Sequence, residues 1–391
     1  MFRSFLWLIC FGMSFSSFAQ EVVGNHGTQT MNPDVSIIFD GVAGWWQHRP
    51  LSLAGDDPNL EGTSTTHGGG LTLQEAEISF SSIIDPYLRG DLFLTIPNGE
   101  GLEVEEGFIT TTTLPLDLQI KAGKFRSNLG RQNGQHLHMQ DFVRRPLLNQ
   151  NFLGVDGLSA PGVQLSWLSP LPFYSVLALE AFAVKQSEDT DAPVQTFGGG
   201  GRDDVTMTAT WKNFFELDES RSLGLGFNFA QGRSSTAIDP TTLIRPVGYG
   251  QKTKLYGADL YFKYKPANTA QSYTSVAWQT EYFQRHFDGD DTIAGQNDGG
   301  LYTQVVCQFA RRWYVGARID FLGIPKSQFV LPSQRYSSSL TFAATEFSRF
   351  RIYGEDEVVT ANDYPQISPL SSMAVLLQFE VSYGVHGAHP F

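Results

Sequence analysis

Apolar and polar residues alternate one by one in segments that recur from one end of the chain to the other. In SLGLGFNFAQ (222–231) the leucines and phenylalanines share one parity, while glycine, asparagine and alanine take the other. The segment LLQFEVSYGV (376–385) places Phe379 and Val381 opposite Gln378 and Glu380. A period of two residues puts successive side chains on opposite faces of a β-strand. The pattern therefore predicts an all-β protein whose strands have one apolar and one polar face.

About sixteen segments follow this alternation. The fourth fits less well than most, because Glu106 falls on its apolar face, and the fifteenth is also weak. The predicted strands cover residues 34–47, 70–84, 86–97, 101–111, 116–126, 160–168, 173–186, 204–213, 222–231, 253–265, 273–286, 299–309, 312–322, 335–346, 349–357 and 372–386.

The connections between these segments alternate in length. Those after even-numbered strands are tight, as in SIIDPYL and ARR, whereas those after odd-numbered strands are longer and polar, apart from NGEG after the third. An even strand number with short turns at one end and longer loops at the other is typical of bacterial outer-membrane barrels. Segments of about 9–14 residues also fit a tilted crossing of the bilayer. We therefore expect a closed antiparallel transmembrane β-barrel of about 16 strands, forming one domain over residues 34–391.

The first residues are typical of a secretory signal peptide. Arg3 gives a positive start, residues 5–11 are apolar, and Ser17 and Ala19 form a small-x-small cleavage site. We expect residues 1–19 to be cleaved and residues 20–33 to form a short periplasmic segment, too short for a plug domain. Cys307 is the one cysteine after this leader, so no internal disulfide is expected. These features indicate export to the outer membrane of a Gram-negative bacterium.

The formal net charge of −13 argues against nucleic acid as a partner. Residues on the polar strand faces should line the lumen, and acidic residues outnumber basic ones there by about two to one. Excess carboxylates on a pore wall concentrate cations, so we expect a modest cation preference. The predicted pore wall includes Asp40, Glu75, Glu77, Arg89, Asp91, Glu103, Glu105, Lys121, Arg318, Asp320 and Glu380.

The longest connection joins the fifth and sixth predicted strands over residues 127–159. Its stretch LHMQDFVRRPLLNQNFL (137–153) is too apolar for a freely solvated loop, and a short helix is expected within it. We expect this third outer loop to fold into the lumen and narrow it, as the corresponding loop does in general porins. An outer lid packed on the barrel rim is the alternative. The predicted constriction comprises Arg131, His136, His138, Asp141, Arg144 and Arg145, whose basic residues could reverse the cation preference.

Two histidine pairs are candidate metal ligands. His136 and His138 are followed by Asp141, and HGAH (386–389) supplies a second pair. Neither pair has the closed ligand spacing of a structural zinc site, so His136 and His138 are candidates only. No nucleophile, base and acid stand out as a catalytic set. We therefore expect neither an enzyme nor a cofactor.

The chain ends in an aromatic residue after an alternating strand. A closed barrel has no edge, so its last strand must pair with its first. We expect Tyr383 and Phe391 to belong to a signal that the barrel-assembly machinery reads. The alternative is that Phe391 is an ordinary aromatic residue of the membrane interface.

Three long runs and the C-terminus carry a resemblance to known proteins. GLTLQEAEISFSSIIDPYLRGDLFL, VEEGFITTTTLPLDLQIKAGKF, DFVRRPLLNQNFLGVDGLSAPGVQLSWLSP and HGAHPF resemble a family of exported bacterial β-barrels. Members of that family are often described as porin-like or as zinc-regulated TonB-dependent outer-membrane receptors. The AGKF segment also resembles the fifth-strand region of phosphate-selective porins. The resemblance implies a barrel in the outer membrane.

Together these observations favour a passive channel for small hydrophilic solutes or ions with a modest cation preference. The alternative is a plugless outer-membrane receptor or zinc-uptake component that uses the histidines and acids of the third outer loop. A barrel enzyme is a third, weaker hypothesis. The expected partners are outer-membrane lipid, lipopolysaccharide, the barrel-assembly machinery and the solutes, and the chain length is compatible with a homotrimer.

Overall fold

Sixteen β-strands form in the part of the chain that the structure describes, and they agree with the predicted spans to within a few residues. The structure is a computed structural model that describes residues 33–47, 68–97, 99, 101–184, 196–199, 205–234, 250–267, 273–289, 294–327, 330, 332–359 and 370–384. The strands are β1 (Asp34–Trp46), β2 (Gly68–Asp85), β3 (Leu88–Pro97), β4 (Glu103–Thr111), β5 (Leu118–Arg126), β6 (Ser159–Leu168), β7 (Tyr174–Phe182), β8 (Thr206–Asp218), β9 (Arg221–Arg233), β10 (Lys252–Tyr264), β11 (Ser275–Phe287), β12 (Gln296–Ala310), β13 (Trp313–Leu322), β14 (Ser333–Thr345), β15 (Ser348–Val359) and β16 (Leu370–Gly384).

The strands close into one barrel. Each pairs in an antiparallel sense with its neighbours in sequence, and β16 returns to pair with β1. The closing pair keeps a single register, from Ser36 opposite Gly384 to Trp46 opposite Ala374. Closure leaves no unpaired strand edge, which a membrane-spanning sheet requires. The predicted closed antiparallel barrel is confirmed.

Side chains of β16 alternate between the two surfaces of the barrel. Ser372, Gln378 and Glu380 are buried inside, whereas Leu377 and Phe379 are 53% and 45% exposed on the outside. Other strands likewise expose large apolar side chains outward. Polar groups therefore line the lumen, and an apolar band covers the exterior, as expected of a barrel that crosses a bilayer.

The two ends of the barrel have different connections. Two-residue turns at one end cover residues 86–87, 219–220, 311–312 and 346–347. At the opposite end, residues 127–158 connect β5 to β6, and we call this connection L3. Residues 1–32 and 385–391 lie outside the described residues, so the signal peptide, Phe391 and the HGAH pair stay predictions.

Two β-bulges change which side chains reach the lumen. The pairing of β4 with β3 shifts beside Phe93, so Glu105 is an extra residue and Glu106 lies opposite Phe93. Both carboxylates reach the interior, and the assignment of Glu106 to the apolar outer face is wrong. A second shift, in the pairing of β1 with β2, makes Gln74 the extra residue beside Glu75. A bulge re-aims side chains because two residues on one strand oppose one residue on its partner.

L3 folds into the barrel, which confirms the inward arrangement over the outer lid. It contains a 3-10 turn (Leu137–Met139) and the short helix α1 (Leu147–Leu153). The helix α1 contacts β11, β12 and β13 on the inner wall. No helix in the described ranges is long and apolar enough to cross a membrane.

The apolar exterior predicts that a charge placed on it has a cost that depends on depth. Leu377 lies in the middle of β16 and points outward, so Leu377→Arg should lower the free energy of unfolding in lipid vesicles by about 2–4 kcal/mol. Ser371→Arg lies on the same face near the strand end and is the matched control, with an expected cost of about 0–1 kcal/mol. Denaturant unfolding followed by tryptophan fluorescence measures both values. Equal costs would contradict a bilayer-spanning exterior.

Candidate functional site

The first half of L3 is held in the lumen through its backbone. Glu281 of β11 accepts hydrogen bonds from the backbone N–H groups of Arg131 and Gln132, both at 2.7 Å. Asn228 of β9 accepts another from Gly130 at 3.0 Å. Gly130 has a φ of +64°, and a Cβ there would lie 2.5 Å from the Glu281 carboxylate, so the close approach requires glycine. The wall thus satisfies donors that a buried loop must not leave unpaired.

The second half of L3 is fixed in the same way by β13 and β15. Asp320 accepts a hydrogen bond from the N–H of Leu147 at 2.9 Å, at the start of α1. Arg318 donates to the carbonyl of Arg144, and Arg351 donates to another L3 carbonyl, both at 2.9 Å. Charge-assisted bonds of this kind are stronger than neutral ones. They bind both donors and acceptors of the loop to one part of the wall, formed by β13 and β15.

Buried ion pairs join L3 to the wall and link the wall strands to each other. The guanidinium of Arg144 contacts the carboxylate of Glu355 on β15. Arg335 of β14 lies 3.6 Å from Asp320 and 3.8 Å from Glu355. Removing one partner of a buried pair leaves the other charge uncompensated, which typically costs about 3–5 kcal/mol. The network therefore fixes the position of L3 as well as neutralising its own charges.

Apolar side chains of L3 fill the space against the inner wall. Leu147, Leu148 and Phe152 pack in a buried cluster with the wall residues Phe283 and Tyr302. A second cluster comprises Val42, Phe142, Val143, Tyr353 and Leu376. Burying apolar surface stabilises this inward position by about 25 cal/mol per Å² removed from water. The packing explains why the apolar stretch of L3 is not solvated.

An opening remains between L3 and the inner wall of β12 to β15. Charges of both signs line it, namely Asp141 of L3 and Arg349 and Arg351 of β15. Hydroxyl groups and small side chains form the remainder of its surface, from Val306, Tyr314, Ser339, Thr341, Ala343, Thr345 and Ser348. Charged and hydroxyl groups therefore face this opening, beside the apolar side chains of Val306 and Ala343.

The six residues predicted at the constriction have different surroundings. Asp141 is exposed, Arg131 is half-buried, and His136, His138, Arg144 and Arg145 are buried. The Arg131 guanidinium lies over the Tyr261 ring, with 3.6 Å from its central carbon to the ring centroid. Burial, followed by the neighbouring Arg126, lowers the pKa of Arg145 to about 10. Arg145 is still charged at neutral pH, but it is enclosed by protein.

Most of the predicted wall residues are engaged with other interior groups. Asp40 accepts a hydrogen bond from Gln378 at 2.6 Å, and Arg89 lies 3.1 Å from Asp91. Glu103 is exposed near the end of its strand. Further contacts join Lys121 to the Phe108 ring, Arg318 to Asp320 and Glu380 to Arg349. Three of these contacts are ion pairs, so a part of the fixed charge of the wall is compensated within the protein.

Two imidazoles of L3 meet carboxylates of β2 and β4 at the inner wall. His136 Nδ1 lies 3.0 Å from Glu77 Oε2 and 3.3 Å from Glu105 Oε2, while its Nε2 lies 2.8 Å from Glu106 Oε1. His138 Nδ1 lies 3.4 Å from the same Glu77 oxygen. We call this group the His–Glu cluster, and it comprises Glu75, Glu77, Glu105, Glu106, His136 and His138.

The carboxylates of the cluster control the charge of His136. Burial would lower its pKa, but Glu105 and Glu77 outweigh burial and hold the pKa of His136 well above its usual value. In the absence of another cation, His136 is an imidazolium at neutral pH. Its ring also lies 4.7 Å, centroid to centroid, from the ring of Phe93. The side chain thus connects L3 to three wall strands at once, β2, β3 and β4.

Comparison with known sequences places the chain in a family. An uncharacterized protein of Aquifex aeolicus strain VF5 is 34% identical over 404 residues, which cover 92% of this chain and 80% of that protein. The chain belongs to the family of this protein. No family model matches, so the resemblances to zinc-regulated receptors and to phosphate-selective porins stay predictions.

Solved porin structures have the same fold as this chain. The outer membrane channel DcaP of Acinetobacter baumannii has a TM-score of 0.59 at 10% identity, covering 90% of this chain and 97% of that chain. The anion-selective porin from Comamonas acidovorans has a TM-score of 0.57 at 7% identity, covering 90% and 99%. Pseudomonas putida OprB has a TM-score of 0.54 at 10% identity, covering 90% and 94%. At these identities the likeness shows a porin barrel fold.

The site residues predicted from the sequence leave out several charged residues of the barrel interior. Arg349 lies two residues before Arg351 on the same strand, so the alternation places both side chains on the inner face. Lys212 and Arg335 also point inward, and both lie near the ends of predicted strands, within the spans 204–213 and 335–346. The alternation of these strands therefore contained the signal for both residues. Glu106 is different, because the bulge in β4 breaks the alternation beside it.

The contacts of Glu281 predict a large cost for its removal. Glu281→Ala leaves the N–H groups of Arg131 and Gln132 buried without their acceptor, at about 1–3 kcal/mol each. We expect the free energy of unfolding to fall by about 2–4 kcal/mol in urea titrations of the protein in detergent micelles. Glu103→Ala, which removes an exposed carboxylate, is the control and should have little effect. A similar loss in both variants would show that Glu281 does not seat the loop.

Proposed function

We propose that the protein is an outer-membrane porin, a passive diffusion channel for small hydrophilic solutes or ions. The main support is a closed barrel with an apolar exterior, a polar lumen and an inward L3 that leaves a polar opening beside β12 to β15. The porin structures with the same fold agree with this proposal. Diffusion requires neither covalent chemistry nor a cofactor, and we assign no enzymatic activity.

The proposed location is the outer membrane, and its support is the apolar exterior of the barrel. The apolar band would contact outer-membrane lipid and lipopolysaccharide, and cleavage of residues 1–19 would follow export. Tyr383 is 53% exposed on the outside of β16 and would form, with Phe391, the signal for the barrel-assembly machinery. A homotrimer is the proposed assembly, on chain length and fold alone.

We further propose a modest cation preference. Both arginines at the opening donate to interior groups, Arg349 to the Glu380 carboxylate at 2.6 Å and Arg351 to the Gln140 carbonyl at 2.9 Å. Asp141, in contrast, is an exposed carboxylate at the opening. An exposed carboxylate beside a narrow passage raises the local concentration of cations. The selectivity would therefore depend on Asp141 more than on the sum of the wall charges.

A second candidate function is a plugless receptor or zinc-uptake component. The His–Glu cluster favours it, because imidazole and carboxylate groups are the ligands that zinc takes in proteins. Conductance measurements distinguish the two candidates. Steady ohmic channels that zinc does not change support diffusion, whereas closure on adding zinc supports the receptor.

The selectivity proposal predicts the effect of neutralising Asp141. Single channels of the refolded protein are recorded in planar bilayers under a salt gradient, and the reversal potential gives the permeability ratio of cations to anions. Asp141→Asn should lower this ratio by a few fold, because a unit charge about 4 Å from a passing ion contributes about 1 kcal/mol in water.

The control for this measurement is Asp117→Asn, which removes the same charge from an exposed turn between β4 and β5. It should leave the permeability ratio unchanged. An unchanged ratio in Asp141→Asn would refute the role of this carboxylate. Absence of conductance from the correctly folded wild-type barrel would refute the open channel itself.

A further inference from the structure

The donor atoms of the His–Glu cluster lie close to the spacing of ligands around a small metal ion. A tetrahedral ion with bonds of about 2.0–2.1 Å holds its ligand atoms about 3.4 Å apart. His136 Nδ1 and Glu105 Oε2 are 3.3 Å apart, and His138 Nδ1 and Glu77 Oε2 are 3.4 Å apart. In each of the two ligand triads that share Glu77, the donor atoms lie within 4.8 Å of one another. Side chains from three separate segments thus converge at ligand-to-ligand spacing.

The second nitrogen of His136 is positioned as it is in metal sites. Its Nε2 lies 2.8 Å from Glu106 Oε1, and the other oxygen of Glu106 accepts a hydrogen bond from the backbone N–H of Arg126 at 2.8 Å. A histidine that binds a metal almost always donates its other N–H to a carboxylate, which orients the ring. With an ion bound, Nε2 would donate to Glu106 and Nδ1 would face Glu77 and Glu105 as a ligand. Glu106 lies outside both ligand triads, so its contact with His136 is an observation separate from the triads.

The two bulges show how the fold builds this arrangement. The extra residue in β4 brings Glu105 and Glu106, which are adjacent in sequence, to the interior together. The bulge at Gln74 in β2 precedes Glu75 and Glu77. Regular strands would turn one of the two adjacent glutamates outward. Bulges often lie beside functional sites for this reason.

Carboxylates outnumber guanidinium groups in and around the cluster. Arg126 binds Glu105, and Arg145 interacts electrostatically with Glu75 and Glu105. The two imidazole rings lie among these carboxylates, 5.7 Å apart from centroid to centroid. Imidazole and carboxylate groups brought together in this way are the ligand types that zinc takes in proteins.

We propose that the His–Glu cluster binds one divalent transition-metal ion of the zinc type, which cross-links L3 to β2 and β4. Nitrogen and carboxylate ligands together favour zinc over magnesium or calcium. His136 and His138 are 7% and 8% exposed, so the ion is resident rather than in transit. The inference goes beyond both proposed functions, because a resident ion that fixes the constriction requires neither solute flow nor uptake.

Metal binding is tested on the full chain folded in detergent micelles and stripped with a chelator. Calorimetric titration with Zn²⁺ should show one ion per chain, and Mg²⁺ at the same concentration should not bind. His136→Ala/His138→Ala should lose this binding. His386→Ala/His389→Ala removes the other pair of imidazoles and is the matched control, which should bind zinc as the wild type does.

A conservative variant covers the case in which the L3 double variant does not fold. Glu106→Gln keeps the shape of the side chain that orients His136 and should weaken zinc binding by about 10- to 100-fold. Co²⁺ bound to the wild-type protein should give the intense visible absorption of a four-coordinate site. Heat-modifiable mobility in gels reports that each variant is folded.

The proposal is overturned if the folded wild type binds no zinc, in which case an imidazolium at His136 is the occupant. It is equally overturned if zinc binding survives in both the L3 double variant and Glu106→Gln, or is lost in the C-terminal control. Conductance of the stripped protein is recorded separately. A channel that conducts without binding zinc refutes this inference alone, and a barrel that binds zinc without conducting refutes the porin alone.

Discussion

A loop buried inside a barrel must find partners for its backbone N–H and C=O groups, and here the charged wall provides them. Glu281 and Asp320 accept backbone N–H groups of L3, while Arg318 and Arg351 donate to its carbonyls. An unsatisfied buried group costs about 1–3 kcal/mol, so an apolar wall could not hold this loop. The charges on the inward strand faces therefore have a structural role before they have any role in solute passage.

This use of the wall limits which charges act on a passing solute. Arg144 and Arg335 are enclosed by their carboxylate partners, and Arg131 lies against an aromatic ring. Asp141 remains exposed at the opening between L3 and β12 to β15. A count of acidic and basic wall residues is consequently a poor guide to selectivity, since paired charges largely cancel at a distance.

The His–Glu cluster connects the same loop to the opposite part of the wall. There the link is made by side chains rather than by the backbone, through the imidazole of His136 and the carboxylates of β2 and β4. A proton on His136 and a bound divalent ion are chemical alternatives for balancing the same carboxylates. Either one makes L3 a bridge between distant strands, which gives the constriction a fixed position.

Much of the fold follows from the sequence because a period of two is a local property. The alternation from Leu377 to Tyr383 is enough to predict β16 and its outward face. The lengths of the connections predict the barrel, and the apolar stretch 137–153 predicts the inward L3. The bulge at Glu105 was not predictable, since one extra residue depends on pairing with β3. The partners of L3 also lie far away in sequence, as Arg131 and Glu281 do, so the parity rule gives the wall but not its contacts.

Hydrogen exchange in the unmodified protein tests most directly whether the wall charges seat L3. Mass spectrometry of the folded barrel in micelles would compare the amides of Arg131, Gln132 and Leu147 with those of the strands. We predict that the L3 amides exchange as slowly as those of β11 and β13, because wall carboxylates bind them. Exchange as fast as that of the exposed turn at 219–220 would contradict the account, because it would show that L3 is not held by the wall.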